Sequence, residues 1–374
     1  MDRSLHGSRG TVRALVSVSL VAILVAACGG AQSSPAATAA ATAAATAAAT
    51  AAATAAPIVY DGPVYDGTKN YTQLAKAPCD LSKKKIAWLN ILTGHPTHRI
   101  WQQGFLDEAK ALGFGSAEIV GVTDADYTKI PPLGEGLLAQ GLDGLISPYP
   151  NPVEKDMYKK FGDKGVPVVS TFLFVPEGTY EGMLANAFFL TSKEGIAAAD
   201  MFGEKMGGVG TVAVTEGSFN PGEDSFAQSF TKRMNEKFPK IKVLPPQEEG
   251  FDPAPAIAKA VAILQANPDV TAALSTTGGG PVTWAGAQEE TGRQLVATLG
   301  PDMSRPNMDL VRDGKIVALG AQPGYETHAL GVDLLAYAIC GAKIPYSHEL
   351  ATPIVFKDGL APYYEVADRI DARK

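Results

Sequence analysis

From Lys83 onward, short apolar runs rich in β-branched residues alternate with longer amphipathic runs, and this alternation constrains the fold more than any other feature. The strand candidates are "KIAWLNI" (85–91), "AEIVGV" (117–122), "GLISPY" (144–149), "VPVVSTF" (166–172), "GTVAVTE" (210–216), "IKVLPP" (241–246), "VTAALST" (270–276), "QLVATLG" (294–300) and "IVALGAQ" (316–322). Helical spacing is expected over 100–112, 153–164, 194–206, 224–238, 254–266, 281–291 and 325–340. In the first of these, Ile100, Trp101, Phe105, Ala109 and Leu112 fall mostly on one face. Strands that are apolar on both faces need cover on both sides, so the pattern implies parallel sheets with helices front and back. Nine strands divide near residue 190 into two doubly wound α/β lobes.

In open parallel sheets, ligands lie beyond the carboxyl ends of the strands. The first strand ends in the loop Thr93 to His98, which carries two histidines, a proline and two threonines. Other strand ends deliver Ser147, Tyr149 and Asn151; Ser170, Thr171 and Phe172; Glu216 to Asp224; Thr276 and Thr277; Asp302; and Gln322. Polar groups converging from both halves imply a cleft between two lobes.

The 374 residues are 46% apolar and 19% charged, with a net charge of −7. The first 27 residues carry a net +2, so the remainder carries −9, a balance that argues against a nucleic-acid partner. Arg3, Arg9 and Arg13 precede an apolar run, Ala14 to Ala27, that is short for a membrane span and ends in small residues. The ending "LVAAC" resembles a bacterial lipobox. It implies a signal peptide over 1–27 and lipidation of Cys28, which would hold a soluble domain on a membrane. Residues 28–57 are mostly alanine with a threonine every fourth position, which cannot build a core and reads as a tether or a weak solvated helix. With Cys28 set aside, Cys79 and Cys340 are one candidate disulfide in an oxidising compartment, or two buried thiols.

Sharper chemistry finds little support. His95 and His98 lack a third metal ligand at recognisable spacing, leaving solute hydrogen bonding or a structural role. No nucleophile elbow appears. The glycines of "GGVGTVAV" precede a strand instead of following one, and "TTGGGP" lacks the lysine of a phosphate loop. Asp224 opens a helix and serves as a cap or as a ligand contact. Trp101 and Trp284 read as core. No cofactor is implied.

The order and spacing of these segments resemble the type I periplasmic-binding-protein family, specifically the ribose/galactose-type solute-binding proteins of ABC importers. The resemblance runs from about Lys83 to Ile354 and is carried by "GFLDEAKALGF", "GLDGLISPYPNP", "GVPVVSTF", "ANPDVTAALSTTGGG" and "DGKIVALGAQPGYETHALGVDLL". It implies an N-lobe of 83–189 plus 323–351, a C-lobe of 190–322 plus 352–374, and a lead-in over 58–82. The hinge would consist of three crossovers near 188–191, 322–324 and 351–354. It further implies ligand contacts at His95, Thr97, His98, Asn151, Thr171, Phe172, Asp224, Phe251, Thr277, Asp302 and Gln322. Two departures stand out: Thr171 and Phe172 replace a common Asp-Arg pair, and Asp224 stands where an arginine is frequent. Losing those planar donors suits a neutral polyol, a nucleoside-like molecule or a cation. The implied activity is non-enzymatic capture of a small polar solute, sugar or polyol favoured, by a lipid-anchored monomer that delivers it to an ABC permease. The alternative is a ligand-sensing lipoprotein that signals to a membrane receptor.

Overall fold

A computed structural model describes residues 56–373; the signal segment, Cys28 and nearly all of the tether lie outside the described residues. The described chain builds two sheets. In the first, the strands β1 (Lys85–Asn90), β2 (Ser116–Gly121), β3 (Gly144–Pro148), β4 (Val168–Phe172), β5 (Met183–Phe188) and β12 (Ser347–Glu349) run parallel in the order β12-β5-β4-β3-β1-β2. In the second, β13 (Ile354–Val355), β11 (Ala318–Gly320), β10 (Ala297–Pro301), β9 (Val270–Ser275), β6 (Gly210–Glu216) and β7 (Ile241–Val243) follow in that order; only β13 is antiparallel, and the short β8 (Gln247–Glu248) pairs with the end of β6.

Alternate residues of each strand point to opposite faces, and both faces are packed. In the first lobe, Ile86, Trp88, Ile146 and Val169 meet Phe105 of α1 (Pro96–Ala111) and Leu334 of α9 (Gly324–Ile339). Their neighbours Ala87, Leu89, Leu145 and Val168 face Ile130 of α2 (Ile130–Ala139) and Met157 and Phe161 of α3 (Lys155–Asp163). In the second lobe, Val212, Val214 and Leu274 pack on Phe202 of α4 (Thr191–Lys205) and Phe226 and Phe230 of α5 (Pro221–Lys237). Ala213 and Ala273 face Ile263 of α6 (Pro253–Ala266), Trp284 of α7 (Gly280–Thr291) and Met308 of α8 (Arg305–Arg312).

The chain passes between sheets three times: after Phe188, between Gly320 and Gly324, and between Glu349 and Ile354. The C-terminal helix α10 (Ala361–Asp371) belongs to neither lobe alone. Ala367 joins the second-lobe core, while Arg369 pairs with Asp107 of α1 at 3.0 Å. The lead-in is part of the first lobe. Tyr65 and Leu81 are buried in its core, Tyr71 donates to Asp333 of α9 at 2.8 Å, and Cys79 is bridged to Cys340 with Cα atoms 5.8 Å apart.

The sequence pattern omits β5, β8, β12, β13, α2, α8 and α10. Strands β12 and β13 are only three and two residues long, too short to show a period. In α2, "IPPLGEGLLA", two prolines and two glycines mask the helical spacing, which survives because both prolines lie in the first turn.

Candidate functional site

A cleft of about 500 Å³ lies between the lobes, within the usual range for small-molecule sites, and its walls are the carboxyl ends of strands from both sheets. On the first-lobe side, β1 runs into the N-terminus of α1. His95 is the N-cap: its Nδ1 accepts the Thr97 N–H at 3.3 Å, and Pro96 fills the first helical position. The Thr97 side chain then reaches across the cleft, its hydroxyl donating to Asp302 Oδ2 at 2.8 Å. His98 is buried. Its Nδ1–H donates to Asn90 Oδ1 at 2.7 Å and its ring stacks on Trp101 at 4.2 Å. Burial above all depresses its pKa to about 3, so His98 offers the cleft a neutral imidazole.

Aromatic rings form the floor. Phe172 packs on Trp101 at 4.1 Å and on Tyr149 at 5.2 Å. Tyr149, Phe172 and Asp302 have positive φ values of 55°, 75° and 74°, a region that non-glycine residues rarely enter. All three line the cleft and follow or close a strand, where the turn aims the side chain at the space between the lobes.

On the second-lobe side, Asn220 caps α5 by accepting from the Gly222 and Glu223 N–H groups. Glu223 accepts from Gly217 N–H at 2.6 Å, Asn220 Nδ2 at 3.0 Å and Thr276 Oγ1 at 2.9 Å. Thr277 is buried beside it, and Phe251, 70% exposed, forms the rim. Asp302 sits deep. Burial raises its carboxyl pKa, with the Thr97 hydroxyl and His95 working the other way. A Cβ on Gly278 would stand 2.0 Å from Asp302 Oδ2, so only glycine admits the carboxylate here. Gln322 donates to Glu194 Oε2 at 3.0 Å; burial pushes the Glu194 carboxyl up to about 8, leaving it protonated and neutral at pH 7.

Of the eleven residues expected from sequence, eight line this cleft: His95, Thr97, His98, Phe172, Phe251, Thr277, Asp302 and Gln322. Three do not. Asn151 accepts the Val153 N–H at 3.1 Å and forms a reciprocal capping box with Glu154, so its side chain is spent on the turn before α3. Thr171 is fully buried and hydrogen-bonds His328 Nε2 at 3.0 Å, because its side chain points to the face of β4 that α9 covers. Asp224 faces Glu216, whose carboxyl rises to about 7 through burial and the adjacent acids. One residue corresponds to about 100° of helix rotation, and Glu223 takes the cleft position instead. Trp101, expected in the core, is 2% exposed and also faces the cleft. The missed Glu223 had a local signal in "NPGED", an Asn cap with Pro at the first helical position, which fixes the helix phase. Asn90, which holds His98, had none.

Among the described residues, no group of three or more His, Cys, Asp or Glu side chains is placed to hold a metal ion. A second cavity of about 190 Å³ adjoins the cleft behind Thr97 and Asp302, walled by Ile100, Met303, Tyr363 and Ile370 with Glu326. Its lining mixes those apolar groups with Arg99, Arg305 and Asp371.

A family model described as periplasmic binding protein domain matches residues 86–343, more than two thirds of the chain. The chain belongs to the periplasmic binding protein family. Its type I fold, with two parallel-sheet lobes, is shared by a sugar-binding protein of a sugar ABC transporter from Bacillus halodurans (TM-score 0.69, 21% identity, covering 75% of this chain and 100% of that one). It is shared by a glucose-galactose binding protein from Geobacillus stearothermophilus (TM-score 0.64, 22% identity, 74% and 99%). A third likeness is an ABC transporter solute-binding protein from Actinobacillus succinogenes with bound D-allose (TM-score 0.66, 19% identity, 75% and 100%). Membership in this family makes the chain an extracytoplasmic solute-binding protein and not an enzyme. Among the described residues, no helix is long and apolar enough to cross a membrane.

Proposed function

We propose that this protein captures a sugar or polyol in the cleft between its lobes and delivers it to the permease of an ABC importer. The observation that carries this reading is the cleft itself. It is lined from both sheets by hydroxyl, amide and carboxylate groups over a floor of aromatic rings, the combination that hydrogen-bonds a polyol's rim and covers its apolar faces. The structural neighbours, among them a glucose-galactose binding protein and a solute-binding protein with bound D-allose, support the same class of cargo. Solute binds most tightly when both lobes touch it, so loading favours the arrangement in which Thr97 and Asp302 meet. The protein acts as a monomer held on the extracytoplasmic face of the cell membrane by lipid on Cys28, with the alanine-threonine tether lifting the binding domain toward its cargo.

The test is a thermal-shift and calorimetric screen against neutral sugars and polyols. The expected result is a raised melting temperature with one or a few members of the panel, and ligand recovered chemically unchanged. No response to any sugar or polyol, or conversion of the bound molecule, would overturn the reading. Mass spectrometry of the membrane-extracted protein tests the anchor: a mature chain starting at diacylated Cys28 is expected, and an unmodified one would remove that part.

A further inference from the structure

The cleft is unbalanced in charge. Glu223 and Asp302 both line it, and among its described lining residues there is neither lysine nor arginine. Arg99 and Arg305 line the adjoining cavity and not the cleft, and Arg305 is committed to Asp368 and Asp371. His95 is turned to its own helix, its Nδ1 accepting the Thr97 N–H, and burial keeps His98 neutral. Glu223 is fully hydrogen-bonded by Gly217, Asn220 and Thr276. Asp302 is not. Its Oδ2 takes the Thr97 hydroxyl, and its Oδ1 has no hydrogen-bond partner among the described residues. A deep carboxylate with one open oxygen, a second carboxylate within electrostatic reach and ring faces alongside forms a receptor for positive charge. The same arrangement repels carboxylates and phosphates.

From this juxtaposition we propose that the cargo is an aminated sugar or polyol whose ammonium group pairs with Asp302, Glu223 adding to the field, while its hydroxyls meet the threonine, asparagine and glutamine groups of the walls. The proposal rests on the reading of the cleft as a polyol site and narrows it. Charge-assisted hydrogen bonds are roughly twice as strong as neutral ones, so an amine should outbind its hydroxyl parent by about tenfold or more.

The experiment is isothermal titration of the protein with matched sets of glucosamine and glucose, galactosamine and galactose, mannosamine and mannose, and aminated sorbitol and sorbitol. N-acetylglucosamine and glucuronate serve as uncharged and anionic controls. The expected result is at least one amine binding about tenfold or more tightly than its parent, an advantage that shrinks as salt rises, and no binding of glucuronate. Asp302→Asn should bring amine and parent to parity. Should that variant fail to fold, Glu223→Gln takes its place and should reduce the advantage. A parent that binds as tightly as its amine, an advantage unchanged by salt, or one undiminished in the variants would overturn the proposal and leave the polyol-carrier reading standing. Silence from every amine and every parent would overturn both.

Discussion

Thr97 and Asp302 are separated by 205 positions in the chain and belong to different lobes, yet the threonine hydroxyl lies 2.8 Å from the carboxylate. One comes from the first turn of α1, the other from the end of β10, held by Asn307, which donates to its carbonyl at 3.1 Å. The contact joins the two lobes at a carboxylate that lines the cleft.

Replacing Thr97 by valine keeps the β-branched shape and removes the donor. A hydrogen bond to a charged group contributes about 1.5–3 kcal/mol, so cargo affinity should weaken roughly tenfold to a hundredfold. Titration calorimetry reads the affinity, and small-angle scattering should show a larger radius of gyration. Unchanged affinity would mean that this contact plays no part in closure.

The two aromatic positions should separate binding from folding. Phe251 is 70% exposed at the rim, so Phe251→Ala should weaken binding several-fold and leave the melting temperature near that of the parent. Phe172 is buried among Trp101, Tyr149 and Phe189, so Phe172→Ala should destabilise the fold by about 3–5 kcal/mol as well as weaken binding. Denaturant titration of both variants distinguishes the roles; a rim variant as unstable as the buried one would contradict the assignment.

The bridge between Cys79 and Cys340 ties the lead-in to the end of α9, far along the chain. Its removal by paired Cys→Ser substitution should cost about 2–4 kcal/mol of stability. Cargo binding should persist, because neither cysteine lines the cleft. A double variant with parental stability would show that the lead-in is held by its tyrosine contacts alone.

The architecture was legible because it rests on repeated periodicity: β1, β3, β4, β6 and β9 are buried and largely apolar, and each precedes or follows an amphipathic run. The site was legible only to the level of strand ends. Which side chain at a strand end faces the cleft depends on one or two dihedral angles, as at Phe172 with φ of 75°, and a side-chain period of two separates Thr171, turned to His328, from Phe172, which lines the cleft. The same limit explains Glu223 and Asp224. Burial of Trp101 at a helix start was readable from spacing, but its second role, as a wall of the cleft, depends on contacts with Phe172 and His98 that come from distant segments.

Stability should depend on pH in two opposite ways. His98 and His328 have folded pKa values of about 3 against ordinary values of 6.5, so the unfolded chain binds more protons below 6.5 and stability falls as pH drops through that window. Glu194 and Glu216 have folded values of about 8 and about 7 against 4.5. Here the folded chain binds more protons above 4.5, and stability falls as pH rises toward 8. Between about pH 4.5 and 6.5 the two effects oppose each other, which should give a plateau with losses on both sides. Each group contributes up to about 1.4 kcal/mol per pH unit. Glu194→Gln keeps an acceptor for Gln322 and cannot ionise, so it should make the alkaline limb shallower, Glu216 remaining, while leaving the acid limb unchanged. Denaturant titrations from acid to alkaline pH, with and without the substitution, check this; an alkaline limb as steep in the variant as in the parent would show that Glu194 is not its source.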